Sequence, residues 1–100
     1  MINKISPQNN LTYNLGLLQE ECAEVIQIVN KIRRFGLESE YNGKTNQESL
    51  FAEINDIYAV LGLIREDFSI LHMIDDSHVA LKKGKIAKFK EYSEQEGLLI

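Results

Sequence analysis

LTYNLGLLQEECAEVIQIVNKIRRFG, residues 11–36, is the stretch that decides the fold. Leu11, Leu15, Leu18, Cys22, Val25, Val29 and Ile32 recur in it at alternating spacings of four and three. That is the period of one face of an α-helix and not of a strand. A helix over about 10–35 is expected, with Ser6-Pro7 ahead of it as a start signal. Arg33 and Arg34 suit the negative end of the helix, and Gly36 directly behind Phe35 suits its stop. Cys22, between Leu18 and Val25, reads as a small core residue.

Residues 36–44 contain Gly36, Asn42 and Gly43 without an apolar period, and read as a connecting loop. Thr45-Asn46-Gln47-Glu48 then has the pattern of a capping box, in which a threonine and a glutamate three residues on satisfy each other's free amides. The helix it opens carries Leu50, Phe51, Ile54, Ile57, Tyr58, Leu61 and Ile64 and ends near Phe68. Two long helices joined by a loop of this length favour an antiparallel hairpin.

Ile70, Leu71, Met73 and Ile74 fit a helical turn, a helix extension or a packed connection equally well. Asp75-Asp76-Ser77 offers N-caps for a last helix over about 77–95, with Val79, Ile86, Phe89 and Tyr92 as its buried side and Gly97 at its end. Gly84 is its weak point, costing about 1 kcal/mol relative to alanine. With no strand pattern, the expected fold is all-α: an antiparallel bundle of three or four helices, one domain over 1–100.

Composition narrows the function classes. The 100 residues are 44% hydrophobic and 26% charged with one proline, which describes a compact domain and not a linker or fibre. A chain of this size buries only ~60–65% of the surface its unfolded form exposes, so its core is marginal and oligomerisation is expected to complete the bundle. No apolar run is long enough for a membrane helix and no signal-peptide pattern follows Met1, so no membrane partner and a cytoplasmic location are expected. The single cysteine leaves no internal disulfide and no thiolate zinc site. His72 and His78 lack a partner at metal-site spacing.

Fifteen acids against eleven bases give a net charge of −4, which argues against binding to a nucleic acid polymer. The bases are nevertheless grouped. Lys82, Lys83, Lys85, Lys88 and Lys90 form one island and Lys31, Arg33 and Arg34 another, an arrangement suited to a small polyphosphate.

The acids carry the sharper signal. At about 100° per residue Glu20 points away from the apolar face, whereas Glu21 and Glu24 share a sector with Leu17, Ile28 and Ile32. Glu53 and Asp56 repeat the arrangement beside Ile57, Val60, Leu63 and Ile64, and Glu48, Asn55 and Glu66 take the other side. Glu24 lies twelve residues before Gly36 and Glu53 eight after Thr45, so in a hairpin their levels differ by only ~6 Å. Unpaired carboxylates near an apolar interface cost several kcal/mol each or take up protons. A hard divalent cation such as Mg²⁺ compensates them best, with oxygen ligands, waters and substrate phosphates around it. Glu91 and Glu94, three apart among Lys88, Lys90, Ser93 and Gln95, need only a solvated surface. Apolar setting, not spacing, separates the other two pairs.

Glu20-Glu21-Cys22-Ala23-Glu24 on one helix and Glu53-Ile54-Asn55-Asp56 on the next resemble the EExxE and ExxD motifs of the MazG-like family, the all-α nucleoside triphosphate pyrophosphohydrolases related to dimeric dUTPases. The similarity extends through Gln27–Gly36, Ile57–Ile64 and a final segment from Lys85 to Phe89 with Tyr92, Ser93 and Gly97. The resemblance implies Mg²⁺-dependent cleavage of a nucleoside triphosphate between its α and β phosphates, with Mn²⁺ as a substitute ion. By motif position it implies Glu21, Glu24, Glu53 and Asp56 as ligands, Glu20 matching the family's first glutamate, and assembly as a homodimer or homotetramer. One departure is the 28 residues between Glu24 and Glu53, which makes the intervening loop a candidate specificity or oligomer element.

A bound Mg²⁺ orients water and neutralises the leaving pyrophosphate, while a free carboxylate accepts the proton. The outer phosphates call for further cations: Lys82, Lys85 and Lys88 near the last helix, or Lys31 and Arg34 on the first, with a solvated lysine face as the alternative for each. Two rival expectations stand beside the enzyme. One is a catalytically inactive nucleotide-binding or oligomerisation module on the same scaffold, and the other a structural dimer whose acids pair with Lys31, Arg33, Arg34 or Arg65.

Overall fold

The computed structural model describes residues 9–68 and 74–100. They fall in two compact units, Met1–Ile70 and Leu71–Ile100. Ser6-Pro7, His72 and the Ile70, Leu71 and Met73 part of the apolar run lie outside the described residues.

In the first unit, α1 spans Asn10–Phe35 and α2 spans Asn46–Phe68. Asn9 caps α1, its side chain accepting a 2.8 Å bond from the Thr12 amide. At the other end Gly36 turns to φ 92°, a left-handed conformation that costs a β-carbon-bearing residue energy, while its amide donates to the Ile32 carbonyl at 2.8 Å. The capping box of α2 forms as expected: the Glu48 amide donates to Thr45 Oγ1 at 3.1 Å and the Thr45 amide donates to Glu48 Oε1 at 3.3 Å.

Residues expected to form only a loop contain two short strands, β1 at Glu40–Tyr41 and β2 at Lys44–Thr45, paired antiparallel. Asn42 at φ 53° and Gly43 at φ 80° make the turn, the double positive φ that an Asn-Gly pair adopts most readily. Strands of two residues are too short to show a period, but the Asn-Gly dipeptide was their signal. Three bonds fasten the hairpin and its flanks to the helix ends. The Asn46 amide donates to Ser39 O at 2.9 Å, the Gln47 amide to Leu37 O at 3.0 Å, and Asn46 Nδ2 to Gly36 O at 2.9 Å.

The two helices run antiparallel. Asn14 near the start of α1 donates through Nδ2 to Asp67 Oδ2 near the end of α2 at 2.7 Å, while Asn46 and Gly36 join the opposite ends. The covered stripe of α1 is Leu11, Asn14, Leu18, Glu21, Val25, Ile28 and Ile32. It shares every seventh residue with the stripe expected from sequence but takes Asn14, Glu21 and Ile28 in place of Leu15, Cys22 and Val29. Those three are exposed, so Cys22 is not a core residue. The matching stripe of α2 is Asn46, Leu50, Glu53, Ile57, Val60, Ile64 and Asp67, with Val60 and Ile64 its buried apolar centre. Phe51, Ile54, Tyr58 and Leu63 are exposed. Polar residues therefore enter this seam at both ends and near its middle.

The second unit contains α3, Asp76–Gln95, capped by Asp75, whose Oδ1 accepts from the amides of Ser77 at 2.9 Å and His78 at 3.2 Å. Gly97 at φ 74° ends it, and the Leu98 amide donates back to Ser93 O at 2.8 Å. Val79, Ile86, Phe89 and Tyr92, expected as its buried side, are exposed. The described residues thus form three helices and one small hairpin. Among them no helix is long and apolar enough to cross a membrane.

Candidate functional site

Glu21 and Glu53 occupy seam positions that their neighbours give to apolar side chains. Helical periodicity forces this placement, since Glu21 falls between Leu18 and Val25 on one stripe and Glu53 between Leu50 and Ile57 on the other. With Glu24, one turn along α1, they bring a carboxylate oxygen each to within 4.8 Å of one another. Glu21 Oε2 and Glu53 Oε2 are buried and have no hydrogen-bond partner among the described residues, so no described lysine or arginine bonds to these two oxygens.

The electrostatic consequence is read at Glu53, whose pKa is raised from 4.5 to about 8. The Glu24 side chain is the largest cause, because a protonated Glu53 can donate a hydrogen bond to its carboxylate. Burial follows, then Glu21, and the negative charges of both neighbours add to the shift. Near neutral pH the group therefore holds a proton in the absence of a cation. Three oxygen donors with two orphaned buried oxygens suit a hard divalent cation. The set does not by itself distinguish Mg²⁺ from Mn²⁺ or Ca²⁺.

Glu24 and Glu53 also line a cleft of about 300 Å³, together with Gln27, Ile28, Lys31, Tyr41, Lys44, Asn46, Ser49 and Ala52. Its acidic end is the carboxylate group. Lys31 and Lys44 provide cations along the same walls, and the Lys31 ammonium stands 5.1 Å from the centre of the Tyr41 ring.

The residues singled out from sequence separate accordingly. Glu21, Glu24 and Glu53 come together, whereas Asp56 and Glu20 are exposed and stand outside the group. Asp56 lies about 60° round α2 from Glu53, which turns it away from the seam. Of the phosphate-binding candidates, Lys31 lines the cleft. Arg34 does not, and its guanidinium lies 5.2 Å from the Phe35 ring centre. Lys82, Lys85 and Lys88 belong to α3 in the second unit, where Lys85 and Lys88 border a shallow groove with Ser77, Ala80, Leu81 and Gly84. Sequence reasoning missed Tyr41, Lys44, Gln27 and Ser49. Only the Asn-Gly turn pointed toward the first two, since it makes Tyr41 and Lys44 partners across the hairpin.

In comparison with known proteins, no family model, no curated protein and no solved structure matches the chain.

Proposed function

We propose that the protein is a divalent-cation-dependent nucleoside triphosphate pyrophosphohydrolase, releasing a nucleoside monophosphate and pyrophosphate. The observation that carries this reading is the convergence of Glu21, Glu24 and Glu53 from two helices beside an open cleft, with two buried oxygens left without partners. The resemblance of Glu20–Glu24 and Glu53–Asp56 to the acidic motifs of MazG-like enzymes supplies the reaction class, and Mg²⁺ is the ion of choice with Mn²⁺ as its substitute.

Glu21, Glu24 and Glu53 would hold the ion, with Asp56 the fourth acid of the motif. When bound, the ion polarises phosphate oxygens and activates water. The chain's own part is to present a fixed oxygen set on two rigid helices, so that little reorganisation is needed as charge develops on the phosphates. Glu53 must surrender its proton for the full anionic set to form. Asp56, exposed on α2 one turn from Glu53, remains available to take up a proton from water.

The same reading includes self-association, as a homodimer or homotetramer. Leu15, Val29, Phe51, Ile54 and Leu63 are exposed on α1 and α2, apolar surface that a second copy of the chain would cover. Sedimentation equilibrium tests this, with a monomer at all concentrations as the contrary result. The reaction is tested by product analysis on a panel of nucleoside triphosphates: monophosphate plus pyrophosphate is expected, and diphosphate plus phosphate would place the chemistry elsewhere. Nucleotide binding without any turnover would favour the inactive module.

A further inference from the structure

Tyr41 and Lys44 are direct partners across the β1–β2 pair, and both line the cleft that holds Glu24 and Glu53. Directly opposed residues of an antiparallel pair project to the same face. The hairpin thus sends one ring and one ammonium to the cleft side and gives Thr45, on its other face, to the cap of α2.

The placement is firm. The bonds from Asn46 to Ser39 and Gly36 and from Gln47 to Leu37 clamp the segment between the two helix ends. Asn46 is itself buried at 6% exposure. Tyr41 is 69% exposed, so packing does not explain its position, yet its ring meets the Lys31 ammonium at 5.1 Å. An aromatic face fixes a flexible ammonium without neutralising its charge. Lys31 lies two turns along α1 from Glu24, so the cleft runs ~10 Å from an acidic end at Glu24 and Glu53, which Glu21 adjoins, to a double-cation end. Opposite poles at that separation match one ligand chemistry: a polyphosphate whose inner oxygens share a cation with carboxylates and whose outer oxygens remain anionic.

We propose that Lys31, Tyr41 and Lys44 form an anion subsite that receives the terminal phosphates of a metal-chelated polyphosphate. Lys31 and Lys44 contact the phosphate oxygens, and Tyr41 is a positioning residue acting through Lys31. The inference rests on reading the carboxylate group as a divalent-cation site. The segment between the two acidic motifs thereby becomes part of substrate recognition. Free tripolyphosphate and the tail of a nucleoside triphosphate present the same chemistry.

The test is calorimetric titration of inorganic tripolyphosphate with saturating Mg²⁺, using the full chain and its Lys31→Gln, Lys44→Gln, Tyr41→Leu and Tyr41→Phe variants. Lys31→Gln and Lys44→Gln should each weaken binding about tenfold, the loss of one charged contact. Tyr41→Leu should weaken it about threefold, and Tyr41→Phe, which keeps the ring face, should restore it. Mg²⁺ titrated alone should bind all variants as it binds the parent chain. Equal tripolyphosphate affinities, or a parallel loss of Mg²⁺ binding in Lys44→Gln, would overturn the subsite. If the expected pattern appears but no nucleotide is hydrolysed, the proposed reaction fails and the subsite stands as one for free polyphosphate. If nucleotides are hydrolysed but the affinities are unchanged, the subsite fails and the reaction stands.

Discussion

Glu53 on α2 meets Glu24 on α1 as a carboxyl pair in the lining of the cleft, and this pairing is the largest reason that the Glu53 pKa rises from 4.5 to about 8. In the unfolded chain the same group titrates near its ordinary value. Folding therefore favours the protonated form. The stabilising contribution of a protonated Glu53 is complete below about pH 4.5 and is lost as pH rises through about 8.

Chemical denaturation in chelator should show that loss between pH 5 and pH 9. Glu53→Gln, which cannot ionise, should flatten the same interval and be the more stable protein at pH 9. Parallel pH profiles for the two proteins would contradict the assignment.

Added Mg²⁺ should raise the melting temperature, and more so at pH 8.5 than at pH 6, because binding must displace the Glu53 proton. At a hundredfold excess over its dissociation constant the ion adds about 2.7 kcal/mol. Glu21→Gln and Glu53→Gln should remove most of the shift. Asp56→Asn, exposed and outside the group, should remove less, and Glu20→Gln none. A shift independent of pH and of Glu21 would place the ion elsewhere.

Glu21 interrupts an otherwise apolar run between Leu18 and Val25 and leaves Oε2 buried without a partner. Glu21→Leu should therefore stabilise the metal-free protein by about 1–3 kcal/mol while abolishing the Mg²⁺ shift. Urea denaturation with and without the ion reads both effects. Destabilisation by leucine would mean that the carboxylate has a structural partner.

Gly43 carries φ 80° in open space, so a side chain there meets no atom but must adopt a left-handed backbone. Gly43→Val should cost about 1–2 kcal/mol from backbone strain alone. Because Lys44 follows directly, the same change should weaken tripolyphosphate binding. An unchanged denaturation midpoint would show that the turn is not held in the described form.

Much of the helical frame was legible in the sequence. The Asn10–Phe35 bounds followed from an apolar stripe that ends at Gly36, and the start of α2 from the Thr45-Glu48 box. The face of α1 was harder to read. Spacings of four-three and three-four share Leu11, Leu18, Val25 and Ile32, and counting apolar residues favours the row through Cys22. Burial follows the row through Asn14 and Glu21 because each has a task there, one bonded to Asp67 and one facing Glu53. Of the four acids read on apolar flanks, Glu21, Glu24 and Glu53 come together, whereas Asp56, read with Glu53, is exposed and outside the group. Tyr41 and Lys44 were not legible, because their proximity to Glu24 depends on a cross-strand pair too short for any period.

The most direct measurement is pyrophosphate release from nucleoside triphosphates by three proteins, the parent chain, Glu53→Gln and Glu20→Gln, in Mg²⁺ and in chelator. The account predicts release by the parent chain that requires Mg²⁺, a loss of at least about a hundredfold in Glu53→Gln and little change in Glu20→Gln. Release that persists in Glu53→Gln or in chelator, or no release from any nucleotide by the parent chain, would contradict it.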